Sequence, residues 1–124
     1  MIKYEHAPDI KQQILHVAKG IGVNHNFDRV ICMRSRGSKA RYTIARCYSM
    51  PRVMQKAFGM KAHYIIEVIG EKFDGMSEEE KVKTLIHELL HIPKSFGGGL
   101  KGHGHVNKKA IDRLYRDYME NCRK

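Results

Sequence analysis

His87-Glu88-Leu89-Leu90-His91 sets two imidazoles four residues apart with a carboxylate between them. On an α-helix, positions four apart differ by about 40° around the axis, so both rings leave one face about one turn apart. Imidazole nitrogen suits Zn²⁺ at about 2.0–2.1 Å, and two rings so placed can share one ion. Glu88 sits beside the first ring, able to reach a water at the metal without being a ligand itself. This is the H-E-x-x-H arrangement of zinc-dependent hydrolysis, with His87 and His91 as metal ligands and Glu88 as the catalytic base. With eight His and eight Glu in 124 residues, the bare pattern arises by chance in about 3 % of such chains. Its context must therefore decide.

That context is a helix with its own signals. Ser77 and Glu80 have the spacing of a capping box, in which the Ser hydroxyl accepts a backbone N–H and the Glu reaches back. Val82, Leu85, Ile86, Leu89 and Leu90 give the segment an apolar surface, and Pro93 stops it near Ile92. A packed helix bearing two His and a Glu is costly unless those groups have partners. The competing reading is a solvated His/Glu stripe without metal.

A third ligand must come from elsewhere. Six residues after His91 stands Gly97, and the position three after it is Lys94, which excludes the metzincin spacing. Beyond the glycine-rich run Phe96–Gly102 lie His103 and His105, and glycines let a chain reverse sharply. His103 is the expected third ligand and His105 the alternative, with a carboxylate from the last helix, Asp112 or Glu120, as a weaker one. His6, His16, His25 and His63 are scattered without metal-site spacing and read as surface or packing residues.

His-Glu-Leu-Leu-His, a loop with Gly-Gly-Leu, and then Gly102-His103-Gly104 before a helix resembles the SprT/Spartan-like zincins and related archaeal and phage metallopeptidases. Ile86 to Phe96, with Ile92-Pro93 after the second His, is most similar to the archaeal group. The resemblance spans Tyr64 to about Leu114. It implies a minimal zincin fold, with His87, His91 and His103 on zinc and Glu88 as base.

Outside this group, Ile10, Ile14, Val17, Ala18 and Ile21 recur at helical spacing between Pro8 and Gly22, which predicts a first amphipathic helix. Val30–Met33 and Tyr42–Tyr48 are β-prone runs around a Gly-Ser turn and read as a hairpin or a long-armed strand pair. Pro51 opens a short helix through Phe58 that Gly59 ends, and Ala62–Ile69 is the strongest strand. Val106, Ala110, Ile111, Leu114 and Tyr118 mark a final helix capped by Asn107. This order gives an α+β class: a small mixed sheet with helices packed on it, in one domain over 1–124. The strand before the catalytic helix, Tyr64–Ile69, is expected to offer an edge to an extended peptide.

Composition sets the remaining bounds. No window reaches the ~18–20 apolar residues of a membrane span, and the start of the chain lacks secretory-signal features, which points to the cytoplasm. Cys32, Cys47 and Cys122 form no C-x-x-C pair and read as buried reduced thiols. The formal charge is +10, and from Arg29 to Lys61 nine Lys and Arg occur with no Asp or Glu. That stretch makes DNA or RNA a candidate partner, although no nucleic-acid reading motif accompanies it. The function expected is a zinc endopeptidase acting on polypeptides, with nucleic-acid-associated proteins as one candidate class. The alternatives are a nucleic-acid-binding protein with a structural zinc and a zinc hydrolase acting on RNA.

Overall fold

The computed structural model describes residues 1–122 as a four-stranded mixed sheet with α1, α4 and α5 gathered over one of its faces. The elements, in chain order, are β1 (Lys3–His6), α1 (Pro8–Ile21), β2 (Val30–Arg36), β3 (Ala45–Tyr48), α2 (Arg52–Phe58), β4 (Tyr64–Ile69), α3 (Gly70–Phe73), α4 (Glu78–Leu90) and α5 (Lys108–Cys122). The class is α+β, as the order of apolar periods implies.

The sheet order is β1-β2-β4-β3. β4 runs parallel to β2, with Val30 opposite Tyr64 and Ser35 opposite Ile69, and antiparallel to β3, with Cys47 opposite Ile66. Tyr64, Ile66 and Val68 point to the helices and are wholly buried. Ile10, Ile14 and Val17 of α1, and Leu85, Ile86 and Leu89 of α4, close over them to form the core. α5 packs on α1 and α4 through Ile111, Leu114, Tyr115 and Tyr118.

Two sequence expectations are corrected here. Val30–Met33 and Tyr42–Tyr48 do not form a hairpin, because β4 lies between β2 and β3. The apolar β4 takes the central position, where both its neighbours satisfy its backbone. The intervening 37–44 segment is instead strapped to α3: Gly37 N–H donates to Glu71 Oε2 (2.7 Å), and Lys72 Nζ donates to the carbonyls of Ala40 and Thr43. For the same reason Tyr64–Ile69 has no free edge to offer a peptide. The free edge on that side belongs to β3, whose Tyr42–Ile44 portion is not strand.

α1 begins with Pro8 in its first turn and ends at Gly22 in the left-handed region (φ 74°). Ser77 Oγ accepts from Glu80 N–H at the start of α4, the serine half of the expected capping box, and Glu78, Glu79 and Glu80 complement the helix dipole. α4 stops at Leu90 and His91 is its C-cap, slightly short of the Ile92 expected. Asn107 Oδ1 accepts from Ala110 N–H and caps α5. Arg34 of β2 makes a two-pronged bond to Asp9 at the start of α1 (2.7 and 3.1 Å) and a third to Asp74 (3.1 Å).

Candidate metal centre

α4 carries His87 and His91 onto one face at its C-terminal end. The chain then leaves through Pro93 and the glycine loop, and that loop is held at several points. Tyr64 Oη accepts from Gly98 N–H (2.9 Å) and donates to the Gly99 carbonyl (2.8 Å), while Gln55 Nε2 donates to the Gly97 carbonyl (3.0 Å). Gly98 has φ +110°, and a Cβ there would collide with the Met50 carbonyl oxygen and the Gln55 amide. Only glycine fits that position. Lys101 N–H then donates to the His91 carbonyl, and two residues later His103 stands beside the helix pair.

The three imidazoles form a triangle with ring centroids 4.9 Å (His87–His91), 5.4 Å (His87–His103) and 5.1 Å (His91–His103) apart. One ring nitrogen from each lies within 4.8 Å of the others, a group able to hold a metal ion. His91 Nδ1 meets the Lys101 carbonyl at 2.6 Å. A carbonyl can only accept, so Nδ1 carries a proton, and in the neutral ring that leaves the Nε2 lone pair for a metal. Burial, reinforced by the neighbouring His91 and His103, lowers the His87 pKa and favours the neutral ring that a metal needs.

Glu88 is 5 % exposed, and desolvation pushes its carboxyl up to about 7. Among the described residues no cation pairs with it. A buried carboxylate without a counter-charge, next to three convergent nitrogen donors at the negative end of a helix dipole, fits a bound cation on chemical grounds.

These groups open onto a cleft of about 650 Å³ lined by His87, Glu88, His91 and His103 on one side and by Tyr42–Tyr48 on the other. Tyr42, Thr43 and Ile44 reach the cleft on an irregular strap, for which no residue pattern in the chain is a signal. Cys47 also lines it; desolvation, then Glu88 and Cys32, raise its thiol to about 12. Cys32 is buried and is likewise raised, to about 11, chiefly by desolvation. All three cysteines are free, but only Cys32 is buried; Cys47 is half-buried and Cys122 exposed, against the buried reading.

Other candidates stay apart from the cluster. His105 is exposed and does not join the three-nitrogen group. Asp112 is engaged by Lys108 and Lys83, and Glu120 is exposed on α5. Tyr64 is buried, with its hydroxyl committed to the glycine loop rather than turned to the cleft. Of the basic 29–61 stretch, Arg34 and Arg36 are ion-paired and Arg29 lies 5.0 Å from the Phe96 ring centroid. The fold itself thus engages these three cations.

Residues 2–121 match the model of a family described as "Putative phage metallopeptidase". The chain belongs to that family. Membership gives this phage metallopeptidase relative a metal-dependent peptidase activity in general terms, and with it a metal and a polypeptide substrate. No curated protein and no solved structure matches the chain. No helix among the described residues is long and apolar enough to cross a membrane.

Proposed function

We propose that the chain is a zinc-dependent endopeptidase in which His87, His91 and His103 hold Zn²⁺ and Glu88 is the catalytic base. The convergence of three imidazole nitrogens within 4.8 Å, on the cleft that Glu88 also lines, carries this reading. Three imidazole nitrogen donors with no thiolate among them are the donor set of a zinc site that keeps a position open. A bound zinc would supply Lewis-acid activation of water and of the scissile carbonyl.

The chain's own groups do the rest. Glu88 takes the proton from the attacking water and returns it to the leaving amine. His91 holds its ring through the Lys101 carbonyl, so that Nε2 faces the ligand role in one tautomer. An extended polypeptide pairs along the free edge of β3, whose residues Ala45–Tyr48 line the cleft. The glutamate separates this reading from a structural site, which has no use for an unpaired carboxylate.

Glu88→Gln tests it. The variant is expected to bind zinc as the parent does and to lose about 10²–10⁴-fold in casein hydrolysis. Hydrolysis at the parent rate would remove Glu88 from the mechanism.

A further inference from the structure

α2 faces the wrong way for a helix of a folded protein. Its only half-buried side chain is the polar Gln55, whose Nε2 donates to the carbonyls of Met50 (2.9 Å) and Gly97 (3.0 Å). At 100° per residue, Val53, Ala57, Met54 and Phe58 share an arc about 140° wide directed away from Gln55. An amphipathic helix ordinarily buries such an arc. Here Val53 is 74 % exposed, Phe58 63 % and Met54 40 %, and Met60 just beyond the helix is 46 % exposed. No residue of α2 is buried.

Charge says what covers this ridge. Arg52, Lys56 and Lys61 flank it, and no Asp or Glu occurs between Arg29 and Lys61. None of these three cations makes an ion pair among the described residues. A second copy of a chain with a net charge of +10 is a poor occupant, since it brings the same cations to the same place. Nucleic acid would satisfy the cations but leave Val53, Met54 and Met60 against phosphates, with Phe58 alone able to stack on a base. An anionic lipid surface accepts both features at once: apolar side chains enter the acyl boundary while Lys and Arg meet the headgroups.

We propose that α2 and Met60 dock this protein on an anionic lipid surface. The bond from Gln55 to the Gly97 carbonyl ties α2 to the glycine loop, whose Leu100 lines the cleft. Docking therefore sets the mouth of the cleft close to the bilayer. The proposal needs neither a metal nor Glu88 and stands apart from the peptidase reading.

The chain has no Trp, so Phe58→Trp supplies a single tryptophan on the ridge. With vesicles of phosphatidylcholine and phosphatidylglycerol, its emission is expected to shift to the blue and to be quenched by brominated lipid. The unaltered protein is expected to sediment with these vesicles about tenfold better than with phosphatidylcholine alone. Replacing Val53, Met54 and Phe58 together by Ser keeps every charge and is expected to lower the partition coefficient about tenfold, with the far-ultraviolet dichroism unchanged. An unshifted tryptophan emission from the Phe58→Trp protein, equal sedimentation of the triple Ser variant, or binding of a DNA duplex that this variant loses while vesicles are ignored would each overturn the proposal. So would a concentration-dependent dimer that the same variant abolishes.

Discussion

Lys101 and His91 exchange two hydrogen bonds: the Lys101 N–H donates to the His91 carbonyl (2.8 Å), and the His91 ring donates back to the Lys101 carbonyl (2.6 Å). One residue of the loop thus fixes both the backbone at the end of α4 and the orientation of an imidazole. Both bonds use the main chain of Lys101, so its side chain is dispensable. Lys101→Ala is expected to leave zinc affinity within about twofold, whereas Lys101→Pro, which deletes the N–H, is expected to lower it about 10–100-fold. Competition against a chromophoric chelator measures both, and equal affinities would show that this exchange does not set the site.

The two histidines beyond the glycines are separable. His103→Ala is expected to abolish stoichiometric zinc in the purified protein, while His105→Ala keeps it, because only His103 joins the imidazole triangle. Metal analysis by mass spectrometry reads the difference. Retention of zinc by His103→Ala would transfer the ligand role elsewhere.

Glycine loop geometry has its own signature in stability. Gly98→Ala must place a Cβ at φ +110° against the Met50 carbonyl, and a loss of about 1–3 kcal/mol is expected. Tyr64→Phe deletes the hydroxyl that bridges Gly98 and Gly99 and leaves a buried N–H without its partner, for about 1–3 kcal/mol. Urea denaturation of the zinc-free protein checks both. Unchanged midpoints would mean that the loop is not anchored there.

Acid sensitivity follows from Asp9. The hydrogen bond from Arg34 is the largest cause of its lowered pKa, and burial opposes it. A carboxylate with a depressed folded-state pKa adds stability above its unfolded value of about 3.9, and that stability is lost as pH falls through the folded value. Asp9→Asn is therefore expected to be less stable than the parent at neutral pH, with the gap closing below about pH 4. Asp9 is largely exposed, so the gap is expected to be small. Thermal melts of both proteins across pH 2–7 test the sign, and a gap that widens in acid would reverse it.

Much of this architecture is legible in the residues. Periodicity and end signals locate α1, α4 and α5 to within a few positions, because each has an apolar stripe and a cap that act locally. The same locality makes His87, Glu88 and His91 readable as one group. Pairing between distant strands is another matter. β3 has only four residues, and nothing in Ala-Arg-Cys-Tyr tells which neighbour it will choose; β4 settles that by occupying the place beside β2. β1, in which all four residues are exposed, carries no apolar alternation and escapes detection. α3 escapes it because one turn leaves no period. The inward Gln55 and outward Phe58 of α2 elude pattern reading too, since periodicity finds an apolar face without saying which way it looks.

The shortness of β3 bears on what can be cut. At about 3.3–3.4 Å per residue, four residues offer a free rim of roughly 13 Å. In the proposed docking of a polypeptide on β3, that rim would take one short length of stretched-out chain rather than a helix or hairpin. On that reading, a target would be cut where its chain unravels locally, ahead of any preference for particular amino acids.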